Sequence, residues 1–339
     1  MVEVIETTSN RSKGAGQLMI RIFLIAFAAG CASALMFASI ISGALISVLL
    51  FCLAPLPLMV AAIGWGPLSA MIGGVGAATV LFAVFGLPYS AAYAITVALP
   101  SCWLGHLALL GRPIASASLG NGTTGPDLEW YPVGRLLLWT AGFAAVTSFA
   151  ALLTLGTDAG GITDSLRRFL LRMLGPENTA LGSETEKWID LLIASAPPAA
   201  AAAAMMRLTL NLWLSGKITA TSGRLQRPWP DLKGAALPPM TLVALCVAIA
   251  LCFSGGLTAF LGKIVASALM VAFALTGFAV LHTLTLALKA RAFWLGSTYA
   301  IVVLFGWPML AVALLGLADA LFGFRERYLR SRPPPLPVR

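Results

Sequence analysis

Arg207, Asn211 and Ser215 recur at spacing four along RLTLNLWLS, inside a long apolar run, and so lie on one stripe of a helix. A guanidinium and a carboxamide held in hydrocarbon have two uses. They satisfy polar backbone on a neighbouring helix, or they grip a polar solute. A central arginine costs about 2.5–3.5 kcal/mol to insert. Arg207 is close enough to Lys217 at the helix end to reach toward the interface, whereas Asn211 must bond inside the bundle. The two histidines stand in SCWLGHLALLGR (His106, four residues after Cys102) and VLHTLTLALK (His282, with Thr285 and Lys289 on its stripe). With the N-terminus inside, His106, Arg207, Asn211 and His282 all fall toward the cytoplasmic ends of even-numbered spans. Polar groups at shared depth are what a proton relay or an anion-facing pocket requires, so these four are the candidate substrate-binding residues. The competing role for each is a satisfied helix-end contact.

No catalytic residue, metal site or cofactor is expected. Cys102 and His106 are only two ligands where zinc takes four. GGVGAA at 73–78 lies inside an apolar helix with no strand before it, so it is no nucleotide fingerprint. There is no Ser-His-Asp order and no HExxH. Asp319, the one acid of the last span, is expected at an interface within reach of Arg325 or Arg327.

The elements that must hold these residues are membrane helices. Only 10% of the residues are charged and 59% are hydrophobic, against about a quarter charged in soluble domains. A net charge of +9 would suggest nucleic acid in a soluble chain; here it follows from Lys and Arg collecting in cytoplasmic loops, so no nucleic acid is expected. The five cysteines all lie in apolar segments and read as small hydrophobes.

Breaks at Gly, Pro and charge clusters place spans near 18–38, 43–63, 66–86, 89–110, 134–156, 188–214, 237–255, 263–288 and 296–320. This predicts an all-α, polytopic integral membrane helix bundle of about eight to ten membrane segments, in a bacterial inner (cytoplasmic) membrane. A cytoplasmic N-terminal tail (1–17) precedes a single transmembrane domain (18–322), and a basic, Pro-rich C-terminal tail (323–339) follows. FAAGC at 27–31 resembles a lipoprotein cleavage box, but the apolar run continues through Cys31 and reads as an uncleaved first span.

The third span presents Ala70, Gly73, Gly74, Ala77 and Ala78 on one side, a helix-packing stripe. TDSLRRFLLRMLG at 163–175 reads as a short amphipathic helix lying in the interface, with Arg167, Arg168 and Arg172 on its polar side. Asp164 or Ser165 is expected to cap it, Gly175-Pro176 to end it, and SETE at 183–186 to open the next helix as a capping box. The loop GRLQRPWPDLKGAALPP, with Lys217 just before it, carries Arg224, Arg227, Trp229 and Lys233 and is expected to anchor topology and touch lipid on the cytoplasmic side. Nine spans would place the arginines of the tail outside. A break at FGWP, residues 305–308, into a re-entrant pair would return them, as would a different span count.

LAPLPLMVAAIGWGPLSA (53–70), EWYPVGRLLLW (129–139), LNLWLSGKI (210–218), GRLQRPWPDL (223–232) and GLADALFGFRER (316–327), in that order, resemble the YybS-like predicted membrane proteins of bacteria, most of all their alphaproteobacterial branch. That family has no established activity. PLPLMVAAIGWGPLSAMIGGVGA is also similar to the early proline-rich turn of the substrate-binding subunits of energy-coupling-factor transporters. The likeness to transporter subunits, together with the small-residue hairpins and the shared depth of His106, Arg207, Asn211 and His282, leads to the expectation of a non-enzymatic membrane protein that binds or moves a small solute. The alternatives are a structural or assembly partner of envelope machinery, working through a membrane protein partner, and, third, an intramembrane enzyme.

Overall fold

A computed structural model describes residues 2–113, 128–174, 183–230 and 235–330. Lys233, Gly175-Pro176 and the tail beyond Arg330 lie outside the described residues, as does the side chain of Ser183 in SETE. The described chain is a succession of α-helices. They are α1 (Val2–Ala38), α2 (Leu45–Leu53), α3 (Pro55–Trp65), α4 (Pro67–Phe85), α5 (Leu87–Tyr93), α6 (Leu99–Ala108) and α7 (Val133–Leu153). Then come α8 (Ala159–Leu174), α9 (Ser183–Thr221), α10 (Met240–Cys252), α11 (Gly256–Leu284), α12 (Arg291–Phe305), α13 (Pro308–Phe322) and α14 (Phe324–Arg330). Gly111–Pro113 (β1) and Leu128–Trp130 (β2) pair antiparallel, with Arg112 opposite Glu129, where the sequence reads as loop.

Seven helical stretches among the described residues are long and apolar enough to cross a membrane. They cover the first six expected spans and the eighth. The seventh is a correction: α10 has only 13 residues, or about 20 Å of helix, against about 30 Å of hydrocarbon. The ninth is also revised. It breaks at FGWP, where Gly306 takes φ +70° and Pro308 starts α13, leaving two helices of 15 residues each.

Proline shapes two of the long spans. Pro55 has no N–H to offer Phe51, whose carbonyl accepts from Ala54 N instead at 3.2 Å, so Leu45–Trp65 bends at Ala54. In Leu87–Ala108 a π-helical turn, Ala94–Ala98, separates α5 from α6 just before Pro100.

The helices form two compact units, one of residues 1–131 and 207–229, the other of 132–206 and 230–339. In the first, Leu58, Ala62, Ala70, Ala77, Tyr93 and Val97 are buried together with Phe37. Lipid offers no hydrophobic drive between helices, so contact depends on close backbones and buried hydrogen bonds. The α4 stripe supplies the first, for Ala70, Gly73, Gly74 and Ala77 are all buried. A Cβ on Gly73 would overlap the Ala26 carbonyl, and one on Gly30 would overlap that of Gly73. Gly73→Val is therefore expected to separate α1 from α4 and cost about 1–3 kcal/mol. Gly76→Val, which meets nothing within 4 Å, should leave the melting temperature in detergent unchanged.

In the second unit α11 is central. Ala268, Ala272 and Phe273 are buried with Ala141 and Ala144 of α7, Leu245 of α10 and Ala313 of α13. Helix α8 begins four residues before the predicted start. Asp158 caps it in place of Asp164 or Ser165, accepting from Gly161 N at 3.1 Å. Ile162 is buried against Ala145, Leu152 and Ile264, Arg167 pairs with Asp190, and Phe169 and Met173 stay exposed beside Arg168 and Arg172. At the chain's end Gly323 takes φ +64° and turns Arg325 back onto Asp319. Arg325 Nε donates to Oδ2 at 2.6 Å, its N–H to Oδ1 at 2.9 Å, and Nη1 to Ala235 O at 2.9 Å. Both side chains are buried.

Candidate functional site

Side chains from other helices donate to backbone carbonyls around the two proline-broken spans. Ser33 Oγ of α1 donates to Ala54 O at 2.7 Å and itself accepts from Tyr93 Oη at 2.9 Å. Ser101 Oγ of α6 reaches Pro55 O at 3.3 Å. Asn211 of α9 donates to Cys52 O, in the last turn of α2, at 2.8 Å. Pro100 stands four residues after Thr96 and cannot donate to its carbonyl; Arg207 Nη2 approaches that oxygen at 3.5 Å. The guanidinium lies over the Phe51 ring, 5.7 Å from its centroid.

Two polar atoms here remain uncommitted among the described residues. Asn211 spends its amide hydrogens on Cys52 O and Arg207 O, and its Oδ1 is buried without a partner. Arg207 Nη1 is likewise buried and unpaired. Arg207 and Asn211 thus carry an uncommitted cationic donor and an uncommitted acceptor on a single stripe, beside two broken helices. Such an arrangement can bind a small anion that also carries an N–H or O–H group.

Of the four sequence candidates, Arg207 and Asn211 are brought together. His106 is exposed, with Trp103 as its ring neighbour at 6.2 Å. His282 belongs to the second unit, where Nε2 meets Tyr299 Oη at 2.9 Å and Arg291 lies beside its Nδ1. Among the described residues no group of three metal-ligating side chains converges. Ser33, Tyr93 and Ser101 were not singled out from sequence. Pro55 and Pro100 signal where the helices break, but of the carbonyls four residues before them only Thr96 O meets a side chain from another helix, Arg207.

The basic loop is folded onto the first unit. Arg227 donates to Ala108 O at 3.1 Å, closing the C-terminal end of α6, and to Tyr131 O at 3.2 Å. Burial pulls its guanidinium below the ordinary arginine value. Lys217 Nζ stands 4.3 Å over Trp229 and Arg224 5.2 Å over Trp65, both cations at the surface. Arg227→Ala is expected to lower stability by about 1.5–3 kcal/mol. Arg224→Ala should cost about 0.5–1 kcal/mol. Detergent melting curves compare the two.

These features define a polytopic α-helical membrane protein. The chain belongs to the DUF2232 family of predicted membrane proteins, whose profile matches residues 31–320. No curated protein and no solved structure matches it.

Proposed function

We propose that this protein binds a small anionic solute in a bacterial inner membrane, as a non-enzymatic, transport-related component, with Arg207 and Asn211 as the ligand-facing pair. One observation carries the reading: Arg207 Nη1 and Asn211 Oδ1 are buried and unpaired inside a membrane-capable helix. An unpaired buried polar group costs about 1–3 kcal/mol, and at membrane depth such a cost is characteristic of functional sites. The setting agrees, since discontinuous helices mark the binding sites of many transporters. The likeness of residues 55–77 to energy-coupling-factor substrate-binding subunits supports the same reading. His106 and His282 would then serve apart from this pair.

A thermal-shift panel on the detergent-extracted protein tests the proposal. Small carboxylates and phosphates that carry a hydrogen-bond donor should stabilise it saturably, and neutral analogues should not. Absence of any saturable shift across the panel removes the proposal. The exposed face of α8 favours the second reading, an assembly partner of envelope machinery. In that case co-purification of a membrane protein should depend on Phe169 and Met173.

A further inference from the structure

The second unit contains a cleft lined by neither Arg207 nor Asn211. About 270 Å³ in volume, it lies between the end of α11 and the broken α12–α13 pair. Leu281, Ile301, Val302, Pro308, Val312 and Leu315 give it an apolar lining. His282 and Tyr299 directly follow the lining residues Leu281 and Thr298, so a polar cluster borders the apolar cleft.

The cluster's hydrogen bonds fix its polarity. Arginine has no acceptor, so at the 3.5 Å contact between Arg291 Nη2 and His282 Nδ1 the ring nitrogen accepts. Arg291 Nη2 also reaches His282 O at 3.3 Å, which holds the guanidinium in place. The neutral imidazole then carries its proton on Nε2 and gives it to Tyr299 Oη at 2.9 Å. Tyr299 is thereby left with its own O–H to donate outward. Its ring is fixed by stacking on Phe278, centroids 4.8 Å apart. Among the described residues Arg291 Nε is buried with no partner. Lys289, Phe293 and Trp294 are exposed near this end of α12, the residue types found at headgroup level.

We propose that this cleft seats an anionic phospholipid. One acyl chain lies along Ile301, Val302 and Pro308, and the phosphate accepts from Arg291 and from the Tyr299 hydroxyl. His282 is a positioning residue that orients Tyr299. An apolar groove with a cation and a hydroxyl donor on residues adjoining its lining matches an anionic amphiphile in both halves. A zwitterionic lipid brings a cationic group toward Arg291, and free phosphate lacks the chain.

The test uses the full-length protein, delipidated in mild detergent, with native mass spectrometry and thermal shift as readouts. The probes are phosphatidylglycerol, phosphatidylcholine and inorganic phosphate. Phosphatidylglycerol should bind and raise the melting temperature, phosphatidylcholine should bind at least about tenfold more weakly, and inorganic phosphate should have no effect. Arg291→Gln and Tyr299→Phe should each reduce the preference for phosphatidylglycerol, and Tyr299→Phe keeps the Phe278 stack so that folding is preserved. Equal binding of the two lipids overturns the proposal, as does an unchanged preference in both variants. Stabilisation by inorganic phosphate alone would reassign the cluster as a free-anion site. None of these outcomes depends on Arg207.

Discussion

Replacing Arg325 with alanine is expected to destabilise the protein by about 3–5 kcal/mol. Asp319 would be left as a buried carboxylate without the guanidinium it pairs with, in an apolar helix and 6% exposed. Asp319→Ala should cost a similar amount, because it strands the buried guanidinium and also removes the acceptor of the Arg325 N–H. The double replacement Asp319→Leu/Arg325→Met should recover most of the loss. An apolar pair of similar volume avoids the desolvation cost of two ions, although Ala235 O then lacks its donor. Melting temperatures of the three variants check this. Two single losses that simply add in the double variant would mean that the residues act independently.

The second large effect concerns Arg207. Arg207→Met removes a guanidinium whose buried, unpaired Nη1 costs about 1–3 kcal/mol. It also removes a long contact to Thr96 O and a ring contact with Phe51. These effects nearly cancel, so the variant should melt within a few degrees of the wild type. Its affinity for a stabilising anion should nevertheless fall by about 10- to 150-fold, the equivalent of one charged hydrogen bond. A residue that only braces the helices would show the opposite pattern, with stability lost and ligand response kept.

How far the sequence went depends on how local each determinant is. Apolar runs bounded by Gly and Pro located the long spans, because helix in lipid is set by composition over about 20 residues. The stripe of Ala70, Gly73, Gly74 and Ala77 was legible for the same reason, as was Asp319 with Arg325, only six residues apart. The π-helical turn and the bend at Ala54 were not read, although Pro100 and Pro55 are their cause. Their partners come from α1, α6 and α9, as far as 159 residues away in the contact of Asn211 with Cys52. Nothing in one sequence announces such a partner. Arg227 shows the same limit: its charge predicted a membrane-side anchor, but its bonds to Ala108 and Tyr131 depend on tertiary folding. The cap of α8 was missed because glycines follow Asp158 closely and weaken the helical pattern where the helix begins.

The most direct test of the central claim is a titration of the purified protein and its Arg207→Met variant with the anion that stabilises the wild type best, each followed by thermal shift. A saturable shift in the wild type, displaced to about 10- to 150-fold higher concentration in a variant of near-native stability, is the predicted result. Superimposable titrations of the two proteins would contradict it.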